Sequence, residues 1–498
     1  MPPIAATGHR RKVRFPTTNL PAKSSIATAH KTRPVNRATS SPSIGKMASP
    51  SQDPRPGVPA LFTQPPPLRD PLVTETIDLQ DATREKCLPF LKGIHSSQKE
   101  PFNACGVPTL QRDDHVGYLY DSLEDYPAGF VAMDSSRPWM VYWALAGLSL
   151  LGEDATRFRE RVIVTLRPMQ NPTGGFGGGH GQISHCAGSY AAVLALAMIG
   201  GEDAFTLIDR QAMWRWLGRL KQADGGFRVC EGGEEDVRGA YCAMTIISLL
   251  DLPLSLPHDA EARNAGLESF NSGLAEYLSR CQTFEGGISG SPGTEAHGAY
   301  AFCALACLSI LGPPEETIIR HMNIPLLLSW LSARQYAPEG GLSGRTNKLV
   351  DGCYSHWVGG CWPLLQSALD GRPQTGAPET SVGSLFSREG LTRYILGCCQ
   401  SHHGGLRDKP GKHADSYHTC YVLTGLSATQ HHHYRTNSSV SSSKTFSSAF
   451  SWRSSPIRAE DNVFEKNDRL SPVHPLYVIP HRAVENMRLW SEARPLRV

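Results

Sequence analysis

The stretch that decides the fold is WRWLGRLKQADGGFRVCEGGEEDVRGAYCAMTIISLL, residues 214–250. It opens as an amphipathic segment that ends in lysine and glutamine, passes through a di-glycine and a polar loop, and continues as an apolar segment rich in small residues. Glycine tolerates backbone conformations that other residues rarely adopt, so the di-glycine predicts a tight turn. The stretch therefore predicts a helical hairpin with one helix on the surface and one buried.

The same unit recurs along the chain. A di-glycine followed by an apolar residue appears five times at spacings of 51 to 64 residues, with its first glycine at Gly174, Gly225, Gly286, Gly340 and Gly404. An apolar segment at residues 135–152, SSRPWMVYWALAGLSLLG, adds a sixth inner helix. Repeats of this length are typical of stacked helical hairpins. Six hairpins predict an all-α protein, an α/α barrel with apolar helices inside; an open solenoid without a pocket is the alternative.

Composition excludes several classes of protein. The chain has 498 residues, of which 40% are hydrophobic, so it can bury a large core. Its thirteen cysteines are irregularly spaced within apolar runs, unlike the disulfide framework of a small secreted domain, and they favour a reducing, cytoplasmic location. No apolar run reaches the roughly 18 residues of a membrane helix, and no signal-peptide pattern opens the chain.

The two ends and one internal segment differ from the repeats. Residues 1–68 are rich in Ser, Pro, Lys and Arg and are expected to be a disordered basic tail; a mitochondrial presequence and a start at Met47 are alternatives. No acid precedes Asp53, and the rest of the chain has 40 basic and 46 acidic residues, which gives no grounds for a nucleic-acid partner. The barrel is expected at 69–430, a Ser-rich surface insertion with solvated histidines at 431–460, and a segment packing back on the barrel at 461–498.

Polar residues that are unusual in core helices occur at the first turns of the inner helices. In a closed barrel these helices run parallel, so their first turns lie on one rim. The rim residues are Asp236, Arg238, His297, Tyr300, Arg345, Lys348, Asp351, Cys353, Trp357, Asp408, Lys409, Lys412, Asp415, Tyr417, His418 and Tyr421.

The basic members of this set predict an anion site. Arg345, Lys348 and Lys412, with the donors His297 and Tyr300 and the positive ends of several helices, suit a diphosphate, because Arg offers a planar fork and Lys a point charge. The alternative is a set of solvated loop charges paired with nearby acids.

Three other rim residues predict a metal site. Asp351, Cys353 and His418 are a carboxylate, a thiolate and an imidazole, the mixture that zinc accepts, and three protein ligands leave a fourth position open. A buried structural cysteine is the alternative for Cys353, since free cysteine is often buried. The repeat favours the metal site, because His418 opens the inner helix one repeat after the helix that Cys353 opens.

Several long motifs resemble one known family. RTNKLVDGCYSHW, EAHGAYAFC, EEDVRGAYC, SRPWMVYW and DKPGKHADSYHTCYVLTGLS closely resemble the β subunits of protein farnesyltransferases, in the protein prenyltransferase β-subunit family. The resemblance covers about residues 80–428 and resumes at SPVHPLYVIP. It implies a farnesyl group passing from farnesyl diphosphate to the cysteine of C-terminal CaaX motifs in proteins such as small GTPases, and a heterodimer with a separate α subunit.

The resemblance also implies roles for individual residues. One zinc ion per β subunit would be held by Asp351, Cys353 and His418, with the substrate thiol as fourth ligand. Arg238 falls on the peptide-binding position, and the diphosphate positions are His297, Tyr300, Arg345 and Lys348. The aromatic positions that line the isoprenoid and peptide cavity are Trp139, Trp143, Tyr190, Tyr241, Trp357, Tyr417 and Tyr421.

Chain-length preference follows from the same resemblance. Trp139 and Tyr421 fall on positions at the closed end of the family's cavity, and both are bulky, while Asp408 falls on the position of a carboxylate that helps to hold magnesium on the diphosphate. Both features favour farnesyl over the alternative, a type I geranylgeranyltransferase β subunit. A catalytically silent helical scaffold is a further alternative, although it would have no use for the three metal ligands beside a cationic cluster. One residue departs from the pattern: His356 replaces an apolar or aromatic residue, and we interpret it as a packing position.

Overall fold

The computed structural model describes residues 53–66, 71–95, 101–124, 126, 128–371, 384–437, 445–458 and 462–496. Its α-helices are α1 Glu75–Leu91, α2 Arg112–Asp121, α3 Arg137–Leu151, α4 Arg159–Leu166, α5 Cys186–Ile199, α6 Glu202–Thr206, α7 Arg210–Leu220, α8 Val237–Leu249, α9 Leu274–Arg280, α10 Gly298–Leu311, α11 Pro314–His321, α12 Ile324–Ser332, α13 Tyr354–Trp357, α14 Cys361–Asp370, α15 Arg388–Tyr394, α16 Ser416–Gln430 and α17 His481–Glu492. Two strands, β1 His431–Arg435 and β2 Trp452–Pro456, complete the regular structure.

The inner helices form a closed ring. Helices α3, α5, α8, α10, the pair α13 and α14, and α16 contact one another in that order, and α16 packs against α3. The predicted α/α barrel is therefore confirmed, and the open solenoid is wrong. Almost every residue of an inner helix such as α5 is buried, which explains why these segments are apolar on all sides.

The di-glycine turns join each outer helix to the following inner helix. In the second repeat Lys221 pairs with Phe227 across the turn, and Gly225 has φ of +101°. A Cβ atom at Gly225 would lie 2.1 Å from the carbonyl oxygen of Gly273 in the next repeat. Glycine is required there both by the backbone conformation and by the close contact between repeats.

The prediction of a Ser-rich surface insertion at 431–460 is wrong for the residues that the structure describes. β1 and β2 form an antiparallel hairpin, and Trp452 and Phe450 are buried. His431 is only 3% exposed, and its Nδ1 lies 2.8 Å from the carbonyl oxygen of Ser427, so it is not solvated. The buried aromatic residues explain the difference, because they give a Ser-rich segment enough apolar surface to pack.

The C-terminal segment closes the base of the barrel, opposite the rim. The hydroxyl of Tyr241 donates to the carbonyl of Leu476 at 2.6 Å, and that of Tyr142 donates to the carbonyl of Val478 at 3.2 Å. Arg488 on α17 donates to the carbonyl of Ser248 at 2.6 Å. Residues far apart in sequence thus join two inner helices, α3 and α8, to one segment.

The expected boundary of the N-terminal tail at residue 68 is too late. Within the described residues 53–66, Phe62 is 4% exposed and lies under the guanidinium of Arg393 at 5.4 Å, while Arg393 also donates to the carbonyl of Gly57. One aromatic side chain and one buried cation fix this proline-rich stretch to the barrel. The rest of the predicted tail lies outside the described residues. Among the described helices, none is long and apolar enough to cross a membrane.

Candidate metal centre and aromatic chamber

The predicted metal ligands come together on the rim. Asp351, Cys353 and His418 each offer a ligand atom, and these atoms lie within 4.8 Å of one another. Gly352 makes this possible: its N–H donates to the carbonyl of Asp408 at 2.8 Å, and a Cβ atom there would lie 2.8 Å from the carbonyl oxygen of Arg407. The loop before α13 therefore lies directly against the loop before α16.

Local hydrogen bonds orient two of the three ligands. Asp351 Oδ1 accepts from the N–H of Cys353 at 2.9 Å. Asp415, the N-cap of α16, accepts from the N–H of His418 through Oδ1 and lies 2.7 Å from Nδ1 of the same imidazole through Oδ2. An imidazole held in this way by a carboxylate presents its other nitrogen to a metal. Sequence reasoning placed Asp415 on the rim without a role, although an Asp at a helix start is an N-cap signal.

The free nitrogen of His418 faces the other two ligands. Its Nε2 lies 3.2 Å from Asp351 Oδ1, within ion-pair distance, and this buried atom has no other polar partner. A buried imidazole nitrogen that faces a thiol and a carboxylate fits a metal ligand.

The pKa shifts of the three residues indicate which of them are protonated. Burial raises the pKa of Cys353 to about 12. Burial alone would lower the pKa of His418, but the carboxylates of Asp351 and Asp415 outweigh it and raise that pKa. Burial would raise the pKa of Asp351, but His418 and the N–H of Cys353 outweigh it and lower that pKa. The protein alone thus keeps Cys353 and His418 protonated, and a cation must displace both protons.

Carboxylates hold two of the basic residues of the rim. Arg345 forms an ion pair with Glu295, and Arg238 forms ion pairs with Asp236 and Glu234. The guanidinium of Arg238 lies 5.7 Å from the ring centre of Tyr300.

Other members of the predicted anion site differ in their exposure and contacts. Lys348 and Lys412 are exposed. Burial and the neighbouring charge of Arg345 lower the pKa of His297, so its imidazole remains neutral. Its Nε2 lies 3.1 Å from the hydroxyl of Tyr354. Tyr354 follows Cys353 directly, so this pair joins the basic residues to the candidate metal ligands. No sequence pattern distinguishes Tyr354.

Asp408 lies between the candidate metal ligands and the residues of the predicted anion site. Burial and the charge of Asp351 raise its pKa, and the ammonium of Lys409 contacts both of its carboxylate oxygens. Lys409 was identified only as a rim residue, and its pairing with the adjacent Asp408 has no sequence signal.

Aromatic side chains form a closed ring below the metal ligands. In order of contact they are Trp139, Trp143, Tyr417, Tyr421, Trp357, Phe302, Tyr241 and Tyr190, with Tyr190 returning to Trp139. All seven predicted aromatic residues belong to this ring, and Phe302 was missed because it resembles an ordinary core residue. Tyr190, Tyr241, Phe302 and Tyr421 are buried, whereas the other four are partly exposed. The indole of Trp357 donates to the hydroxyl of Tyr417 at 3.0 Å.

Comparison with known proteins agrees with this arrangement, first at the level of a class. Residues 110–479 match the family model described as the prenyltransferase alpha-alpha toroid domain, so the chain is a prenyltransferase toroid protein. It is 54% identical over 442 residues to the protein farnesyltransferase subunit beta of Pyricularia oryzae, covering 88% of this chain and 84% of that protein. The chain belongs to the protein farnesyltransferase β-subunit family.

The alternative enzyme, a type I geranylgeranyltransferase β subunit, is less similar to this chain in sequence. The geranylgeranyl transferase type-1 subunit beta of Arabidopsis thaliana is 27% identical over 358 residues, covering 66% of this chain and 87% of that protein. A solved structure of Candida albicans protein geranylgeranyltransferase-I complexed with GGPP has a TM-score of 0.54 at 19% identity, covering 76% of this chain and 98% of that chain. This structural similarity supports the fold alone.

Proposed function

We propose that this chain is the catalytic β subunit of a protein farnesyltransferase and transfers a farnesyl group from farnesyl diphosphate to the cysteine thiol of C-terminal CaaX motifs. The observation that carries the proposal is the position of Asp351, Cys353 and His418, whose ligand atoms lie within 4.8 Å of one another. Close to them, on the same rim, are the mouth of the aromatic ring and the cationic residues. A scaffold protein would need none of these features together.

The three ligands suit one zinc ion. A carboxylate, a thiolate and an imidazole leave the fourth position for the substrate thiol. Zinc bound there would supply the charge that keeps a substrate thiol, whose ordinary pKa is about 8.5, in its reactive thiolate form. Asp415 would hold the imidazole of His418 in the orientation that this site requires.

The remaining residues bind and orient the isoprenoid diphosphate. The aromatic ring offers an apolar chamber that surrounds the isoprenoid and excludes water. His297, Tyr300, Arg345 and Lys348 would bind the diphosphate, on which negative charge grows as its bond to the isoprenoid breaks. Charges that are positioned in advance stabilise that transition state more than the ground state.

Arg345 and Arg238 would bind the substrates by exchanging their present carboxylate partners for substrate groups. Each is paired with a carboxylate, and these carboxylates hold the guanidinium groups near the rim. A diphosphate would compete with Glu295 for Arg345, and the peptide's C-terminal carboxylate would compete for Arg238. Asp408, released from Lys409, would help to hold magnesium on the diphosphate.

The partner and location belong to the same proposal. We infer a heterodimer with a separate farnesyltransferase α subunit that assists diphosphate binding, and protein substrates such as small GTPases in the cytoplasm. The product thioether is the first step toward membrane attachment of those substrates.

The test is farnesyl transfer by the heterodimer. This chain would be co-expressed with its cognate α subunit and supplied with farnesyl or geranylgeranyl diphosphate and a peptide that ends in a CaaX motif. We expect farnesylation of the Cys peptide and none of a matched peptide with Ser in place of Cys. A preference for geranylgeranyl diphosphate would establish the rival enzyme instead, and no transfer of either group by a stable heterodimer would support the scaffold.

A further inference from the structure

A small cavity lies between the aromatic ring and the base of the barrel. It measures about 20 Å³, and its lining includes Phe302, His356, Thr424, His433 and His474. Phe302 belongs to the aromatic ring, Thr424 lies further along α16 than the metal ligand His418, and His474 comes from the C-terminal segment. The cavity is therefore behind the ring, on the side away from the rim.

Three imidazoles that line this cavity have nitrogen atoms without a partner. These buried atoms are Nε2 of His356, Nδ1 of His433 and Nε2 of His474. The side chains of His356 and His474 are 3% and 2% exposed. Buried polar atoms are nearly always paired with protein groups or with ordered water. Three unpaired atoms around one cavity therefore point to a small polar ligand.

The neighbouring hydrogen bonds define which nitrogens donate. Nε2 of His433 lies 3.3 Å from the carbonyl oxygen of Val473; a carbonyl only accepts, so Nε2 carries the hydrogen and Nδ1 is an acceptor. The N–H of Leu476 donates to Nδ1 of His474 at 3.2 Å, so Nε2 of a neutral His474 carries the hydrogen and is a donor. One donor and one acceptor on the same cavity are the complement of a water molecule.

Burial keeps all three rings neutral. It lowers the pKa of His356 to about 3 and holds that of His433 well below its ordinary value. Burial and the imidazoles of His481 and His433 do the same for His474, against a weaker effect of the Ala449 carbonyl.

Geometry favours water over a metal ion. Among the described residues, only Asp351, Cys353 and His418 bring three ligand atoms within 4.8 Å of one another, so these imidazole nitrogens are too far apart for one ion. A water molecule needs at least about 10–15 Å³, and the cavity satisfies that requirement for one molecule.

His356 separates the cavity from the aromatic chamber. Its ring stacks on Tyr421 with centroids 5.2 Å apart, meets Phe302 at 4.4 Å and lies 4.8 Å from Trp357. It thus contacts three members of the aromatic ring on one side and the cavity through Nε2 on the other.

We propose that the cavity binds one buried water molecule and that His356 and this water form a polar floor to the chamber, which makes His356 a specificity-determining residue against isoprenoids longer than farnesyl. This inference rests on the proposed function. A longer chain must displace the His356 ring and the water, and its alkyl end would then leave His433 and His474 without hydrogen-bonding partners. Buried polar groups left unpaired oppose such binding.

The test compares two isoprenoids in the heterodimer. For wild type and His356→Ala, kcat/KM is measured with farnesyl and geranylgeranyl diphosphate and one CaaX peptide. We expect the ratio of geranylgeranyl to farnesyl kcat/KM to rise about tenfold or more in His356→Ala. His356→Phe keeps the bulk of the ring but removes its polar nitrogens, so the ratio should rise, but less than in His356→Ala. The matched control is His115→Phe, which removes a buried imidazole that lies 3.1 Å from Gln400, away from the chamber.

The outcomes separate this inference from the proposed function. Wild-type protein that transfers no farnesyl refutes the function, whereas active His356→Ala with an unchanged ratio refutes only the polar floor. If His356→Ala does not pair with the α subunit, a crystal structure of the wild-type heterodimer with farnesyl diphosphate decides. A water bonded to His433 Nδ1 and His474 Nε2 beneath an isoprenoid that ends at His356 supports the proposal; an empty cavity, or an isoprenoid that ends elsewhere, overturns it.

Discussion

At the scale of single residues, Asp415 links the helix start to the metal centre. It caps α16 and orients the imidazole of His418 with the same carboxylate. Loss of such a supporting partner typically weakens metal affinity about 10- to 100-fold, while loss of an N-cap costs about 1 kcal/mol of stability. One side chain would therefore contribute separately to folding and to the proposed metal binding.

Asp415→Ala is predicted to lower both zinc affinity and the melting temperature of the heterodimer. Zinc affinity is measured by competition with a chromophoric chelator, and we expect a fall of about 10- to 100-fold. The matched control is Asp209→Ala, because Asp209 caps the outer helix α7 through the N–H of Ala212 far from the rim. It should lower the melting temperature alone; an equal fall in zinc affinity there would contradict the role of Asp415.

Zinc binding is predicted to release protons. Without a cation, burial raises the pKa of Cys353 to about 12, and neighbouring carboxylates raise that of His418, so both are protonated at neutral pH. Both protons compete with the metal, hence affinity should rise as pH rises from 6 to 8. Calorimetry in buffers of different ionisation enthalpy should give about two protons released per zinc; Cys353→Ser should release fewer, and release of none by the wild type would contradict the assignment.

From the sequence, the three candidate ligands that the structure brings together were easier to predict than the residues that support them. Asp351, Cys353 and His418 stood out because such polar side chains are unusual at the start of apolar helices. Asp415, Tyr354 and Lys409 did not, because their roles depend on distances that only the folded rim defines. His431 was wrongly expected in solvent for the same reason: the contact that buries it comes from packing that composition does not show.

At the scale of elements, the close contact of two loops builds the site. The loop before α13 lies against the loop before α16 at Gly352, where a Cβ atom would lie 2.7 Å from Val422 Cγ2 and 2.8 Å from the carbonyl oxygen of Arg407. The backbone oxygen cannot move away easily, so a side chain at this position must separate the loops. The separation would carry Asp351 and Cys353 away from His418.

Gly352→Ala is therefore predicted to lower the melting temperature and to weaken zinc binding together. The cause is overpacking against backbone, which typically costs about 1–3 kcal/mol. Gly117→Ala is the matched control, because Gly117 lies within α2 with nothing within 4 Å of a Cβ atom, and alanine is the better helix former there. The control should keep or raise the melting temperature; an unaltered Gly352→Ala protein would refute the close-contact argument.

The repeat predicted most elements but not all of their details. The di-glycines and the apolar segments identified six inner helices with their neighbours. After the fourth di-glycine turn, at Gly340, the inner helix is divided into α13 and α14 by residues 358–360, and the short α13 contains Trp357 and His356. The sequence marks this division with the di-glycine Gly359–Gly360, because glycine weakens a helix interior.

At the scale of the whole molecule, the C-terminal segment joins residues that the repeats leave separate. Arg488 is 1% exposed; it donates to the carbonyl of Ser248, pairs with Glu492 at 2.7 Å and lies 2.9 Å from Asp251. It fixes α17 to the end of α8, and with it the segment that closes the base beneath the aromatic ring. The resemblance located this segment near the C-terminus, but only the folded chain shows which helices it contacts.

Arg488→Met is predicted to lower the melting temperature strongly, because it removes a buried cation from its ion pairs with Asp251 and Glu492, at a cost of about 3 kcal/mol. Metal affinity should change little, since the rim is at the other end of the barrel. Arg482→Met on the same helix is the control, because Arg482 is exposed and its loss should have little effect. Equal melting temperatures for the two variants would refute the role of Arg488 in closing the base.

The most direct test of the central claim measures zinc content and farnesyl transfer on the same preparations. Wild type and Cys353→Ala are each co-expressed with the α subunit, purified as heterodimers, and assayed for metal and for transfer to a CaaX peptide. One zinc per wild-type heterodimer, with zinc and transfer lost together in Cys353→Ala, is the predicted result. A folded wild-type heterodimer that transfers farnesyl without zinc, or a Cys353→Ala heterodimer that keeps both, would contradict the account.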